Sequence, residues 1–199
     1  MTTERRQEML PAEVTRHRFT VEEYHKMGEA GIFGEDDRVE LIDGEVVEMS
    51  HNGWRHARCV RQLINLLAGF ALGRGDGGDR YQVDAQNPIV LSEHGEPRPD
   101  LALLREVPTG RLLPAPADVL VVVEVSDTTL AYNRNVKLTR YAQAGIPKVW
   151  IVDLGGEAVE VYAAPEDRRY TIVRRYVPGD EPRSETARGL VPTVGEVLG

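Results

Sequence analysis

The run Val119–Val125 narrows the fold more than any other stretch of this chain. It reads Val-Leu-Val-Val-Val-Glu-Val, apolar and mostly β-branched apart from Glu124. Such a run suits a central strand buried on both faces. The single charge is its most telling residue. An ionised glutamate at the end of a buried strand costs roughly several kcal/mol unless something compensates it. A metal ion is one compensation; a paired or surface carboxylate is the plainer alternative.

The remaining segments supply a sheet around this strand. Thr20–Glu23 has the pattern of a capping box, and predicts a short helix to about Ala30 with Gly31 ending it. Arg38–Ile42 and Glu45–Met49 flank Asp43-Gly44, a pair suited to the positive φ angles of a tight hairpin. In residues 53–73, Ala57, Val60, Ile64, Leu67 and Ala71 recur at helical spacing. Residues 73–78 are glycine-rich but lack the Gly-Lys-Ser/Thr of a phosphate loop, and read as a flexible loop. Tyr81–Leu91 and Asp100–Arg105 read as strands joined by the turn Ser92–Arg98, and the prolines of 106–117 impose irregular structure. Asp127 or Thr128 can cap a helix running to about Ala144, with Gly145 and Pro147 as its stop. Lys148–Leu154, Ala158–Ala163 and Tyr170–Val177 complete the strands. The order predicts an α/β or α+β fold, a central mixed β-sheet flanked by helices. One domain over residues 19–177 is expected, with a mobile arm at 1–18 and a Pro- and Gly-rich tail at 178–199.

Composition trims the function classes. A formal charge of −8 argues against coating nucleic acid by bulk electrostatics, though not against a nuclease with a metal and a local arginine cluster. The lone Cys59 excludes an intramolecular disulfide. No apolar signal core follows the polar start, and the apolar stretch Leu63–Leu72 is short and contains Asn65. A cytoplasmic protein without a membrane span is the expectation. The histidines 17, 25, 51 and 94 have no ligand-like spacing, so a zinc site carries little weight.

Asp100 follows Pro99 at the start of a predicted strand, and Glu124 ends another. If the strands pair, both carboxylates reach one cation. Mg²⁺ (or Mn²⁺) suits two carboxylates plus the backbone carbonyl of Val125, with positions left for water and a phosphate oxygen. Lys137, one of three lysines, falls on the next helix and can orient a water or stabilise phosphoryl charge. Each residue has an ordinary alternative: Pro-Asp as a turn dipeptide, Lys137 as a solvated helix position.

The motifs gather into a resemblance. Glu40–Glu45 (Glu-Leu-Ile-Asp-Gly-Glu), Met49-Ser50, His56, Arg98–Ala102 (Arg-Pro-Asp-Leu-Ala), Val123–Ser126, Lys137, Tyr141-Ala142, Gly145-Ile146 and Trp150–Asp153 occur in an order that resembles the bacterial Uma-two family of restriction-endonuclease-like proteins. The resemblance covers about residues 19–155. It implies the PD-(D/E)XK nuclease superfamily: a restriction-endonuclease-like core and a Mg²⁺-dependent phosphodiesterase site acting on DNA. By position it implies that Asp100 and Glu124 are the two superfamily acids and Glu40 an extra acid. The superfamily lysine lies two residues after the second acid, where this chain has Ser126. Lys137 on the following helix takes that role instead. His56, Gln86, Arg98, Ser126, Arg134 and Tyr141 are further candidate contacts, with Tyr141 also readable as a core tyrosine. Trp54 and Trp150 read as core or interface anchors.

The leading expectation is a metal-dependent endodeoxyribonuclease. The alternatives are a catalytically silent binding or regulatory module on a nuclease fold, and a structural protein with buried ion pairs. Arg98, Arg134 and Arg140 are expected to flank the site, while Arg55, Arg58 and Arg61 form either a basic ridge or a solvated face. Cleavage of two strands by one small domain favours a homodimer.

Overall fold

The computed structural model describes residues 14–34, 37–50, 53–73, 81–105, 110, 113–182, 187, 190 and 192–199. Most of the expected arm, and the glycine-rich loop after Gly73, lie outside the described residues.

Strand β5 (Val119–Ser126) is buried along its whole length and runs between β4 (Leu101–Arg105) and β6 (Lys148–Asp153). The sheet continues outward to β3 (Tyr81–Ala85) on one side and to β7 (Ala158–Glu166) and β8 (Arg169–Tyr176) on the other. Only β5 and β6 are parallel; the other neighbours are antiparallel, so the sheet is mixed. A separate hairpin pairs β1 (Val39–Ile42) with β2 (Glu45–Glu48). Its turn is Asp43-Gly44, with φ of 54° and 78°, as the dipeptide predicts.

Helices cover both faces. Helix α1 (Val21–Glu29) opens on the Thr20/Glu23 capping box. Helix α2 (Trp54–Leu72) lays Cys59, Val60, Leu63 and Leu67 on one face of the sheet, against Leu101, Leu103, Val121, Val123, Val125 and Trp150. Helix α3 begins at Leu130–Tyr132, widens into a π-helical segment at Asn133–Lys137 and resumes as Leu138–Gln143. Its Leu138, Tyr141 and Ala142 pack on the opposite face, against Ala102, Val122, Val149 and Ile151. The C-terminal helix α4 (Val194–Leu198) buries Val194 and Val197 in the α2 layer, and Cys59 Sγ donates to the Val197 carbonyl at 3.2 Å. No helix among the described residues is long and apolar enough to cross a membrane.

Three local expectations are corrected. The strand expected over 81–91 stops at Ala85, because Gln86 takes φ of 55° and Pro88 has no N–H to donate. The chain then folds back, with Ile89 and Leu91 donating to Pro97 and Gly95. Neither Asp127 nor Thr128 caps α3. Asp127 lies 3.6 Å from the Arg55 guanidinium instead, and the helix starts at Leu130. Trp150 is core at 0% exposed, but Trp54 is 73% exposed, so the core half of its reading falls and the interface half stands open.

Candidate active site

Alternation along β5 sends Val121, Val123 and Val125 to the α2 face and leaves Val122, Glu124 and Ser126 facing α3. Glu124 is thereby delivered, 4% exposed, beneath a helix. Antiparallel pairing of Leu101 with Val123 brings Asp100 beside it. The Asp100 carboxylate is held from two sides. The Val125 N–H donates to Oδ2 at 2.8 Å, and His56 Nε2 lies 3.1 Å from both oxygens. A carboxylate oxygen accepts this hydrogen bond from the tautomer that carries its proton on Nε2. The His56 Nδ1 atom is buried with no hydrogen-bond partner among the described residues.

Helix α3 answers with three residues spaced by four. In a regular α-helix each such step drifts about 40° around the axis. The π-helical turn widens the first step and offsets that drift, so Asn133, Lys137 and Tyr141 all reach β5 or its end. Lys137 is 1% exposed. Its ammonium lies 2.8 Å from Glu124 Oε1 and 3.1 Å from Glu40 Oε1, and donates at 3.5 Å to the Arg98 carbonyl. The Tyr141 hydroxyl donates to Glu124 Oε1 at 2.6 Å. Asn133 Nδ2 donates to Ser126 Oγ at 2.9 Å, while its Oδ1 is buried without a partner.

Glu40 comes from β1. The Leu41–Glu96 bridge fastens that strand to the segment leading into Asp100, with Glu96 N–H donating to the Leu41 carbonyl at 2.7 Å. Glu40 is buried rather than turned to water, and its Oε2 has no hydrogen-bond partner among the described residues. Two carboxyl groups therefore pair with one ammonium, and Asp100 adds its charge from alongside. Burial pushes the Glu124 carboxyl up to about 7; Lys137 opposes this, and Asp100 and Glu40 add to it. Burial pulls the Lys137 ammonium down, but Glu124 and Glu40 outweigh it and its pKa is raised.

These groups line a cavity of ≈ 30 Å³ with Val125, Asn133, Thr129 and Arg98. That volume exceeds the roughly 10–15 Å³ one water needs. A wider cleft of ≈ 270 Å³ adjoins it, sharing Arg38, Glu40, Arg98 and Asp100. No group of three or more His, Cys, Asp or Glu among the described residues is already drawn together as a metal cage. Lys137 stands between two of the acids. The unpartnered Glu40 Oε2 and the excess of carboxyl groups nevertheless fit a small, hard cation held by oxygen.

The other expected contacts divide. Gln86 and Arg98 line the wider cleft. Ser126 faces the site side of β5 but is occupied by Asn133. Arg134 does not flank the cavity. It binds Glu160 of β7, Nε to Oε2 at 2.9 Å, and lies 3.8 Å from Asp153. Arg140 likewise turns to Asp43 at 2.9 Å. Both point away because buried or turn carboxylates stand nearer along their helix faces. Asn133, Thr129 and Arg38 escaped the sequence reading. Asn133 had a signal, its four-residue spacing to Lys137; Arg38 had none, because the hairpin brings it to Asp100 only in the folded chain.

Among known proteins, a family model named Uma2 and described as "Putative restriction endonuclease" matches residues 21–195. A crystal structure of "a putative nuclease belonging to DUF820 from Anabaena variabilis ATCC 29413" is similar in fold. Its TM-score is 0.68 at 13% sequence identity, covering 90% of this chain and 97% of that one. No curated protein matches the sequence.

Proposed function

Since this chain belongs to the Uma2 family, we propose that it is a nuclease that hydrolyses DNA phosphodiester bonds with Mg²⁺ or Mn²⁺. The observation that carries the reading is the gathering of Glu40, Asp100, Glu124 and Lys137 around one small cavity that adjoins a cleft lined by Arg38 and Arg98. Asp100, Glu124 and the Val125 carbonyl are the groups that would hold the cation, with Glu40 beside them. The metal would supply Lewis-acid polarisation of a phosphoryl oxygen and a more acidic water.

The protein's own groups do the positioning. His56 and the Val125 N–H fix Asp100, and Tyr141 fixes Glu124, so neither carboxylate is free to rotate. Arg98 is exposed and its guanidinium makes no hydrogen bond to another described residue, which suits it to a phosphate. Lys137 has three protons to donate; exchanging one carboxylate contact for a water or a phosphoryl oxygen orients the nucleophile or offsets developing charge.

The test is incubation of the purified chain with plasmid and single-stranded DNA in Mg²⁺ or Mn²⁺, beside Asp100→Asn and Glu124→Gln. Metal-dependent cleavage lost in both variants is expected. Cleavage that persists in both removes the assignment. A second reading, a silent nuclease fold that binds a partner, is favoured by two observations: Lys137 is already paired with both glutamates, and the cavity is small. Absence of both cleavage and calorimetric Mg²⁺ binding would decide for it.

A further inference from the structure

The start of α2 carries a feature the hydrolytic chemistry does not use. Trp54, its first residue, is 73% exposed. Exposing a side chain of this size forgoes a large hydrophobic gain. Among the described residues a cation lies over its ring: the Arg61 guanidinium carbon is 4.8 Å from the ring centroid. Trp54, Arg58 and Arg61 fall at four- and three-residue spacing on one face and are all exposed, while His56, Cys59, Val60 and Leu63 take the buried face. Arg55 is not part of this stripe, since it donates to the Leu154 carbonyl at 2.7 Å and faces Asp127. In a chain with 32 Asp and Glu, α2 contains neither. The stripe is a local cationic and aromatic surface on an acidic protein.

The same helix walls the cavity on its other face. His56, two residues on, contacts Asp100. Two residues advance a helix by about 3 Å and turn it by about 200°, so Trp54 lies near His56 along the axis of α2 but on its outward face. We propose that Trp54 is a base-stacking platform for single-stranded nucleic acid, with Arg58 and Arg61 taking the adjoining phosphates. A flat aromatic ring accepts any base whose face is free, and a closed duplex hides those faces. Resting on the nuclease reading, the substrate class is then a strand with unpaired bases.

The experiment follows tryptophan emission of the full chain in EDTA, which prevents cutting. The titrants are an oligothymidine strand, an abasic strand of the same length and a closed duplex. Trp150 is 0% exposed, so changes report Trp54. The expected result is quenching by oligothymidine alone. Trp54→Ala should weaken oligothymidine binding by about 5- to 150-fold, with Trp54→Phe retaining part of it. Arg61→Ala should weaken binding and reduce its salt dependence. Equal binding of the abasic strand, or unchanged affinity in Trp54→Ala, overturns the proposal. So does emission that shifts with protein concentration alone, which would mean that a second copy covers Trp54. The two readings fail separately. Base-dependent quenching without Mg²⁺-dependent cleavage by the unaltered chain would remove the nuclease and leave the platform. Cleavage without such quenching would do the reverse.

Discussion

Lys137 is the residue on which the buried site balances. It sits between Glu124 and Glu40, all three almost fully buried. Breaking a buried pair by removing one partner typically costs about 3–5 kcal/mol, because the remaining charge is stranded. Lys137→Met should therefore lower the urea midpoint substantially, and adding Glu124→Gln should recover part of the loss. An unchanged midpoint in the single variant would mean that the ammonium holds nothing together. Tyr141→Phe removes a donor to the same carboxylate, and a loss of about 1.5–3 kcal/mol is expected from a charged hydrogen bond. Much of this trio was legible before folding. Glu124 stood out as a charge in an apolar strand, and Asp100 as a carboxylate opening another. The geometry around Tyr141 was not, because a core tyrosine and a tyrosine bonded to a buried acid have the same sequence signature; at 0% exposed, it is both. Arg134 misled for a related reason. Its partner Glu160 lies 26 residues away on a strand that only the sheet order brings near.

Elements were easier to foresee than their irregularities. The hairpin, α2 and the central strand follow from turn chemistry and periodicity, which act locally. The π-helical turn does not, since residues spaced by four look alike in a regular and a widened helix. It matters because Ser126 occupies the place where the sequence resemblance would put a lysine. The ammonium reaches Glu124 from α3 instead, while Asn133 fills the space at Ser126. The β1–β2 hairpin is the other element that completes the site, because it carries Glu40. Its turn depends on Gly44, at φ of 78°, where an added Cβ would lie 2.7 Å from Arg18 Cβ and 2.9 Å from its Cα. Left-handed backbone costs an L-residue about 1–2 kcal/mol, and this clash with another backbone adds to it. Gly44→Ala should lower thermal stability by at least that amount. If Glu40 helps to hold the cation, it should also weaken calorimetric Mg²⁺ binding. Full stability in this variant would show that the hairpin tolerates a shift; weakened metal binding without lost stability would place the effect on Glu40 alone.

For the whole molecule, the cavity makes stability depend on pH in a direction opposite to that of an ordinary salt-bridged acid. Burial raises Glu124 from 4.5 to about 7. Between those values the folded chain binds more protons at this residue than the unfolded chain does, so its contribution falls as pH rises. It is fully present below about pH 4.5 and lost as pH climbs through about 7. The raised Lys137 works the same way but only above its ordinary value of 10.5, and leaves this window untouched. Without metal, the denaturant midpoint should therefore drop between about pH 5 and pH 8 by an amount that Glu124→Gln abolishes. A cation bound by Asp100 and Glu124 competes with that proton. Mg²⁺ should thus raise the midpoint more at about pH 8 than at about pH 5, since binding that requires the ionised carboxylate is linked to proton release. A metal effect that is equal at both pH values would separate the cation from Glu124, whereas a midpoint that rises with pH in the metal-free chain would show that Lys137, rather than burial, governs this acid.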